Sequence, residues 1–263
     1  MKRATRFLGS MLIGLALMPV AAQAETVLRF SNWLPPTHPL TTEAFATWAT
    51  KIGDATEGRV KVLLTPPLGK PPAHYDLVKS GVTDIAWGVH GYNIDRFPLE
   101  YGLMLPFYAK TATASSIAMW RTNEKFFAKA NEYAGVKLLG LDVHGPAMVF
   151  TTKARIRSVA DMKNLKIRIG GGIISDIAKA LDVTPFFAPA PKAYEVLSKG
   201  VADGIFFPAE SVASFKIDKI IKNVLMVPGG LYRSSNYIIM NQAKWNSLSK
   251  QDQDAINSVS GEA

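Results

Sequence analysis

The amino-acid sequence predicts an α/β fold, and this prediction rests on three observations. Residues 165–208 read strand, helix, strand, helix, strand, which is typical of a parallel sheet with helices on its faces. Residues 79–87 repeat part of that pattern earlier in the chain. The composition, with 48% hydrophobic and 19% charged residues, suits a folded chain with a large apolar core.

The first 24 residues are expected to lie outside this fold. They begin with three basic residues, which precede an apolar stretch, residues 7–20, that Pro19 interrupts. An Ala-x-Ala sequence follows at residues 22–24. This order is typical of a cleavable signal peptide, and the apolar stretch is too short to span a membrane. The mature chain is therefore predicted to begin near Glu25 and to work outside the cytoplasm.

Strands and helices alternate through the first half of the chain. Alternating apolar residues predict a strand at residues 26–30, and the prolines of residues 31–39 predict a loop. Apolar residues at helical spacing predict a helix that Thr41 caps and that continues to residue 55. A strand at 59–64, a helix at 73–79 and a strand at 84–89 are expected to follow.

The middle and the end of the chain continue this pattern. A long helix is expected at residues 115–134, with Ile117, Trp120, Phe126 and Phe127 on its inner side. Residues 103–107 are expected to form a buried loop. Further strands are expected at 136–143, 148–152 and 232–241, and a last helix at 245–259.

Composition and charge exclude several classes of function. The chain contains no cysteine, so disulfides and thiol chemistry are excluded. The formal charge is +9, and the three basic residues of the signal peptide leave +6 for the mature chain. These basic residues are scattered, which argues against nucleic-acid binding, although a positive field suits an anionic ligand. No cofactor or metal motif is present.

Residues 79–87 and 198–206 share one pattern. Each contains a helix end, a glycine suited to the left-handed position after a helix, an aspartate, and a strand that ends in an aromatic residue. The corresponding residues are Gly81 and Gly200, Asp84 and Asp203, and Trp87 and Phe206. A match this short also arises by chance in α/β proteins. As a structural feature, it predicts two similar lobes, each with an aromatic residue at a strand end.

The signal peptide and six further motifs together resemble the periplasmic solute receptors of TRAP transporters, the DctP-type family. The motifs are Ser31-Asn32 and residues 79–86, 103–107, 165–169, 201–204 and 241–245. They occur in order over nearly the whole mature chain. The resemblance implies a two-lobed periplasmic binding protein (type II-like) of α/β class. Its two α/β domains are joined by hinge strands, and the ligand cleft lies between them.

The resemblance also implies the organisation and partners of the protein. The expected division is residues 1–24 as signal peptide, residues 25–147 with 236–263 as lobe I, and residues 148–235 as lobe II. The expected ligand is a small organic acid, and the expected partner is a TRAP membrane permease that takes up solute with sodium. A periplasmic monomer is expected. Family members normally continue past this point with a further helix, so the chain is compatible with a piece of a longer protein.

Arg168 is the residue on which the predicted site depends. From spacing alone it shares a polar strand face with Lys166, which predicts a solvated side chain. The resemblance instead matches it to the family's arginine that binds the ligand carboxylate. A guanidinium is a rigid fork that fits the two oxygens of a carboxylate. A closed, empty cleft would bury this cation unpaired, so closure is expected to depend on a bound anion.

Four further candidates follow from the strand ends and the glycine run. Trp87, Phe206 and Phe207 are expected either as core residues or as cleft walls that stack on an apolar ligand. Gly170 begins three consecutive glycines, which predict a tight turn beside the ligand. The helix that follows them has a positive amino-terminal end, which favours an anion.

Three loop residues complete the predicted site. His90 and Tyr92 follow Trp87 and are candidates for polar ligand contacts, although a loop histidine is often simply solvated. Trp33 is expected either to cover the cleft or to anchor a packed loop. Glu210 fits poorly beside an acid unless it faces a hydroxyl, a cation or Lys216, and it is left out of the predicted site.

Two positions depart from the family pattern. Family members often carry asparagine immediately before the proline that matches Pro208, where this chain has Phe207. A second arginine is common near the position of Val149, and here it is missing. Both departures disfavour a polyhydroxylated or doubly charged ligand. They favour a monocarboxylate with an apolar body, such as a 2-keto, hydroxy or aromatic acid.

Two other functions stay open at this point. The receptor could serve a sensor protein rather than a permease, which the sequence does not distinguish. A periplasmic hydrolase is the other alternative, but the four histidines show no metal-binding spacing and no G-x-S-x-G elbow is present. Asp142 and His144 merely share one face of a strand. An enzyme is therefore not expected.

Overall fold

The computed structural model describes residues 25–107 and 110–262, and the predicted signal peptide lies outside them. The strands are β1 (Thr26–Ser31), β2 (Val60–Thr65), β3 (Ile85–Val89), β4 (Val136–Val143), β5 (Ala147–Thr151), β6 (Lys166–Ile169), β7 (Thr184–Phe187), β8 (Gly204–Pro208), β9 (Asn223–Leu225) and β10 (Ser235–Asn241). The α-helices are α1 (Ala46–Ala55), α2 (His74–Lys79), α3 (Ala112–Thr122), α4 (Ile174–Ala180), α5 (Ala193–Ser198), α6 (Ala209–Ser214), α7 (Gln242–Asn246) and α8 (Lys250–Ser258). In this part of the chain, no helix is long and apolar enough to cross a membrane.

The strands form two five-stranded sheets with the same arrangement of parallel and antiparallel neighbours. The strand order is β2-β1-β3-β10-β4 in the first sheet and β7-β6-β8-β5-β9 in the second. In each sheet the first three strands are parallel, and the fourth is antiparallel to both its neighbours. The α/β class is confirmed, but the sheets are mixed rather than purely parallel. The reason is that β5 and β10 are reached directly from the other sheet, without the helical crossover that a parallel neighbour needs.

The two passages with matching sequences occupy equivalent places in the two sheets. The Oδ2 atom of Asp84 accepts a hydrogen bond from the backbone N–H of Arg29 at 2.8 Å. Likewise, Oδ2 of Asp203 accepts from the backbone N–H of Lys166 at 2.8 Å. Each aspartate precedes the third strand of its sheet and ties it to the strand beside it. The sequence match therefore corresponds to a structural repeat and is not a coincidence.

The chain passes between the two sheets twice, at residues 144–146 and at residues 226–234. The first sheet takes its strands from residues 26–143 and 235–241, and the second from residues 147–225. The division into lobe I (25–147 with 236–263) and lobe II (148–235) stays a prediction.

The helix expected at residues 115–134 is interrupted, and of the residues predicted on its inner side Trp120 and Phe127 pack against a buried apolar cluster whereas Phe126 does not. The α-helix itself is α3, which ends at Thr122, and a π-helical turn, Asn123–Phe127, follows it. Because a π-turn holds more residues per turn than an α-helix, helical spacing does not place Phe126 correctly. Phe126 is accordingly 62% exposed, whereas Met119 is fully buried. The loop expected to be buried at residues 103–107 is also partly open, with Phe107 67% exposed.

Candidate functional site

A cavity lies between the two sheets, at the carboxyl ends of strands from both. This is where ligands bind in open α/β sheets. The volume of the cavity is about 70 Å³, which is more than a single water molecule needs. The cavity therefore suits a small molecule. Six aromatic side chains line it: Trp33, Trp87, Tyr92, Phe207, Phe215 and Tyr232.

Arg168 lies in the wall of this cavity and is only 2% exposed. The alternation of β6 would predict a solvated side chain, but here both faces of the strand are covered, as is usual in α/β proteins. Its Nε atom donates to the carbonyl oxygen of Ala188 at 2.7 Å. Its guanidinium carbon lies over the ring of Phe207, 5.3 Å from the ring centroid.

The guanidinium of Arg168 still has hydrogen-bonding capacity to spare. Among the described residues, its Nη2 atom has no hydrogen-bond partner. No described carboxylate forms an ion pair with it. Burying an unpaired cation is costly, and an anion in the cavity would remove much of that cost. The arrangement is therefore chemically suited to receive a carboxylate.

Tyr92 supplies a second donor close to this guanidinium. Its hydroxyl oxygen accepts a hydrogen bond from the backbone N–H of Ala190 at 2.9 Å. The hydroxyl hydrogen is therefore left to donate to another group. Burial raises the pKa of Tyr92, and the positive charge of Arg168 opposes that rise. The phenol keeps its proton and can donate to the same anion as Arg168.

Trp33 and Trp87 form the wall on the side of the first sheet. Their ring centroids are 4.9 Å apart, and Nε1 of Trp33 donates to the carbonyl oxygen of Trp87 at 3.2 Å. Nε1 of Trp87 donates to Oδ2 of Asp142 at 2.9 Å. Asn236 donates to the other oxygen of Asp142 at 2.7 Å. Burial raises the pKa of Asp142, and these two donors oppose the rise. The hydrogen bonds fix the orientation of both indole rings.

Phe206 and Phe207 point to opposite faces of β8, because successive side chains of a strand alternate. Phe207 lines the cavity, and its ring centroid lies 5.6 Å from that of Phe215. Phe206 is fully buried in a separate apolar cluster, together with Ile169 and Leu231. The structure therefore brings Phe207 to the cavity and leaves Phe206 in the core.

His90 also lies away from the cavity. Its ring packs against Phe97 and Tyr237, with centroid distances of 4.7 Å and 5.0 Å. Its Nε2 atom is 2.7 Å from the hydroxyl of Tyr133. Complete burial lowers the pKa of His90 to about 3. The 3-10 turn that follows β3 turns Tyr92 toward the cavity and His90 toward the core.

Gly170 lines the cavity at the end of β6, at the start of a tight turn. The next residue, Gly171, has a φ of +86°, which favours glycine. A Cβ atom at Gly171 would lie 2.6 Å from the carbonyl oxygen of Gly91, so no larger residue fits without movement. The glycine run therefore allows the backbones of the two halves to approach each other beside the cavity.

The loop after β1 and helix α6 meet at the same cavity. Nδ1 of His38 accepts a hydrogen bond from the backbone N–H of Leu40 at 3.2 Å. Nε2 of His38 is 3.1 Å from Oγ of Ser211. Burial lowers the pKa of His38, and the carboxylate of Glu210 opposes this. A neutral His38 with its hydrogen on Nε2 satisfies both contacts.

His144 lies in the cavity wall but forms no pair with Asp142. Its Nε2 atom accepts a hydrogen bond from the backbone N–H of Ser234 at 2.9 Å. Its Nδ1 atom contacts the carbonyl oxygen of Gly145. Burial lowers the pKa of His144. Both ring nitrogens are thus engaged with the backbone, which leaves no free base for a hydrolytic mechanism at this residue.

Several lining residues were not singled out from the sequence. The main ones are His38, Ser211, Phe215, Tyr232 and Asn236. His38 lies in a proline-rich loop and Ser211 in a short helix, 173 positions apart, so no local pattern signals their contact. Phe207 and Phe215 are eight residues apart and flank a short helix. This aromatic pair is the one sequence pattern that could have pointed to Phe215 as a lining residue.

Comparison with known proteins places the chain in a family. A model of the bacterial extracellular solute-binding proteins, family 7 (DctP), matches residues 30–263. The outer membrane transporter protein TsaT of Comamonas testosteroni is 36% identical over 252 residues, which cover 95% of this chain and 75% of TsaT. The 2,3-diketo-L-gulonate-binding periplasmic protein YiaO of Escherichia coli K12 is 27% identical over 216 residues. That match covers 81% of this chain and 65% of YiaO, just under two thirds of its length.

Three solved structures share the fold. A TRAP periplasmic solute-binding protein from Bordetella bronchiseptica, with bound (R)- and (S)-mandelate, is 45% identical with a TM-score of 0.88, over 90% of this chain and 76% of that one. A TRAP solute-binding protein from Rhodoferax ferrireducens, in complex with benzoate, is 30% identical with a TM-score of 0.85, over 90% and 75% of the two chains. A TRAP protein from an unidentified marine microbe, in complex with 3-hydroxybenzoate, is 32% identical with a TM-score of 0.86, over 91% and 76%.

These matches confirm the resemblance inferred from the sequence motifs. The family model spans nearly all of the described residues, and the two most similar of these solved structures by TM-score, 0.88 and 0.86, cover 90% and 91% of the chain. The chain belongs to the bacterial extracellular solute-binding proteins of family 7, the DctP family of TRAP transporter receptors.

Proposed function

We propose that this protein is the extracytoplasmic receptor of a TRAP-type uptake system and binds a small monocarboxylic acid with an aromatic or apolar body. Arg168 is the observation that supports this most directly. It is a buried guanidinium in the wall of an aromatic cavity, and its Nη2 atom lacks a partner among the described residues. The protein works in the periplasm, reached through the signal peptide at residues 1–24, and delivers its ligand to a membrane permease.

The cavity offers each part of such an acid a matching surface. The carboxylate accepts hydrogen bonds from Arg168 and Tyr92, which are charge-assisted on the side of the guanidinium. The ring or chain of the ligand packs against Trp33, Trp87 and Phe207. Mandelate, benzoate and 3-hydroxybenzoate, bound by three proteins of the same fold, are acids of this kind.

Ligand binding and closure are coupled because the two halves of the molecule share the site. Trp33, Trp87 and Tyr92 come from the half that contains the first sheet, and Arg168 and Phe207 come from the other half. A ligand that touches both halves stabilises the closed arrangement over an open one. The permease then distinguishes the loaded receptor from the empty one by its shape.

A thermal-shift and calorimetry experiment tests the proposal on the purified protein. Benzoate, mandelate and 3-hydroxybenzoate are compared with benzamide and benzyl alcohol, which keep the ring and lack the charge. We expect stabilisation by the acids only, about 2.7 kcal/mol at a ligand concentration of 100 times Kd. Arg168→Met is expected to abolish the shift, and Lys166→Met, which removes a cation from the same strand, to preserve it. Stabilisation by the neutral compounds or by sugars alone would contradict the proposal.

A transport experiment separates the permease from a sensor as the partner. Cells that lack the protein are expected to lose uptake of the labelled acid and to recover it on expression of the wild-type chain. Unchanged uptake together with a lost transcriptional response would favour the sensor instead.

A further inference from the structure

Helix α6 brings a hydrogen-bond donor and an acceptor side by side to the cavity wall. Ser211 and Glu210 are consecutive residues, and both line the cavity that contains Arg168. Ser211 is only 6% exposed, so its hydroxyl faces the protein interior and the cavity. The proposed carboxylate contacts at Arg168 and Tyr92 use neither residue.

The direction of the hydrogen bond at Ser211 follows from its neighbour. Because Nδ1 of His38 accepts from the backbone N–H of Leu40, the neutral ring carries its hydrogen on Nε2. His38 is therefore the donor in its 3.1 Å contact with Oγ of Ser211. The hydroxyl hydrogen of Ser211 remains available, and no other described residue accepts it. Ser211 is thus set as a donor toward the cavity.

Glu210 provides the complementary acceptor. One carboxylate oxygen, Oε1, accepts from the backbone N–H of Gly145 at 3.3 Å. Its other oxygen, Oε2, has no hydrogen-bond partner among the residues that the structure describes. The negative charge of Glu210 acts to raise the pKa values of three neighbours, His38, His144 and Arg233.

An aromatic wall separates this donor and acceptor pair from the guanidinium. Arg168 lies over the ring of Phe207, and Phe207 lies 5.6 Å from Phe215 between ring centroids. The ring centroid of His38 lies 6.0 Å from that of Phe215. A ligand whose carboxylate meets Arg168 and whose body follows these rings therefore presents its other end to α6.

We propose that the site selects aromatic acids that carry a hydroxyl group in addition to the carboxylate. Ser211 donates to the hydroxyl oxygen and Glu210 accepts the hydroxyl hydrogen, which satisfies both halves of that group. The side chain of Glu210 also disfavours a second carboxylate at this end, because two acids would repel each other there. This inference rests on the proposed function, because it assumes that an acid occupies the cavity.

Calorimetry with matched pairs of acids tests this selectivity. The pairs are benzoate with 3- and 4-hydroxybenzoate, and phenylacetate with mandelate, so that ring and side-chain hydroxyls are both sampled. We expect the wild-type protein to bind the hydroxylated member of at least one pair about tenfold more tightly, as one well-made hydrogen bond gives. Ser211→Ala is expected to bring this ratio close to one while changing the Kd of the parent acid by less than about threefold.

Three further variants keep the test decisive. Ser214→Ala removes a hydroxyl from the same helix outside the cavity, and the wild-type ratio is expected to persist. His38→Phe removes the hydrogen bond that orients Ser211 and is expected to lower the ratio. Glu210→Ala changes an exposed residue, which protects the fold, and is also expected to lower the ratio.

The outcomes that overturn the inference differ from those that overturn the proposed function. Equal wild-type affinity for both members of every pair, or an unchanged ratio in Ser211→Ala, would refute the selectivity and leave the acid receptor standing. Failure of every acid to bind would refute both. Preferential binding of isophthalate, which carries two carboxylates, over benzoate would also contradict the role of Glu210.

Discussion

Replacing Arg168 with methionine is expected to separate ligand binding from the stability of the empty protein. Methionine keeps an unbranched apolar stem in the same space and removes the charge and all donors. Because the guanidinium lacks a described carboxylate partner, its removal should cost the fold little. Because the proposed ligand is an anion that this guanidinium would hold, its removal should cost binding a great deal.

The structure sets the expected change in the free energy of unfolding. Burying a guanidinium costs several kcal/mol. Against this stand the hydrogen bond from Nε to Ala188, about 1.5–3 kcal/mol for a charged donor, and the contact with Phe207, about 1–2 kcal/mol. These terms nearly cancel, so the unfolding free energy of the empty protein should change by less than about 2 kcal/mol.

The expected change in binding is much larger. Removing one partner of a buried, hydrogen-bonded charge pair costs about 2–5 kcal/mol. This raises the Kd for benzoate by about 30-fold to about 5,000-fold. A large rise in Kd together with a small change in the free energy of unfolding, and not either result alone, would identify Arg168 as a ligand-binding residue rather than a structural one.

Urea unfolding of the ligand-free protein and calorimetry with benzoate measure the two quantities. Lys166→Met is the matched control, since Lys166 is two positions away on β6, has its ammonium over the ring of Phe186 and lies outside the cavity. Both quantities should stay near their wild-type values in the control. An Arg168→Met protein that binds benzoate normally, or that loses more than about 3 kcal/mol of unfolding free energy, would refute the reasoning.

Three other variants test separate parts of the structure. Tyr92→Phe removes the second donor to the carboxylate and should raise the Kd for benzoate about tenfold in calorimetry; an unchanged Kd would exclude that hydrogen bond. Phe207→Asn removes the ring beneath the guanidinium and should weaken benzoate binding more than tenfold; binding equal to wild type would place the ligand elsewhere in the cavity. Glu100→Gln replaces a fully buried acid and should make the unfolding free energy less dependent on pH. At pH 8 the variant should exceed the wild type by up to about 3 kcal/mol in urea unfolding.

The sign of the Glu100 effect follows from its pKa. Burial, with a smaller contribution from Glu132, raises the pKa of Glu100 to about 7. Between about pH 4.5 and pH 7 the carboxyl ionises in the unfolded chain while the folded protein holds its proton. The wild type therefore loses stability as the pH rises through this window, and glutamine does not. Equal pH profiles for the two proteins would show that Glu100 ionises freely in the fold.

Local sequence patterns predicted most of the strands and helices, because alternation and helical spacing follow from burial of one face. They failed where a neighbouring element changed the geometry. The π-turn after α3 rotated Phe126 outward, and the direct crossings between sheets made β5 and β10 antiparallel. Neither feature has a signal within a short window of sequence.

The candidate site was predictable to a smaller extent. Arg168 was predicted from the resemblance to a family. Alternation within β6 alone indicated a solvated side chain, because it does not show that both faces of this strand are buried. The 3-10 turn after β3 places Tyr92 at the cavity and His90 in the core, and the sequence does not show which of these two residues, two positions apart, faces the cavity. The contact between His38 and Ser211 joins two distant segments and exists only in the folded molecule.

The position of β10 makes the first sheet depend on the last of the described strands. This strand is the last of the described strands to emerge, yet it pairs with both β3 and β4 in the interior of its sheet. The five strands β5 to β9 are consecutive in the chain. The second sheet therefore pairs strands that are closer in sequence, and it needs no strand from later in the chain. A chain cut before residue 235 would therefore keep all five strands of the second sheet, whereas the first sheet would lose the strand that joins β3 to β4.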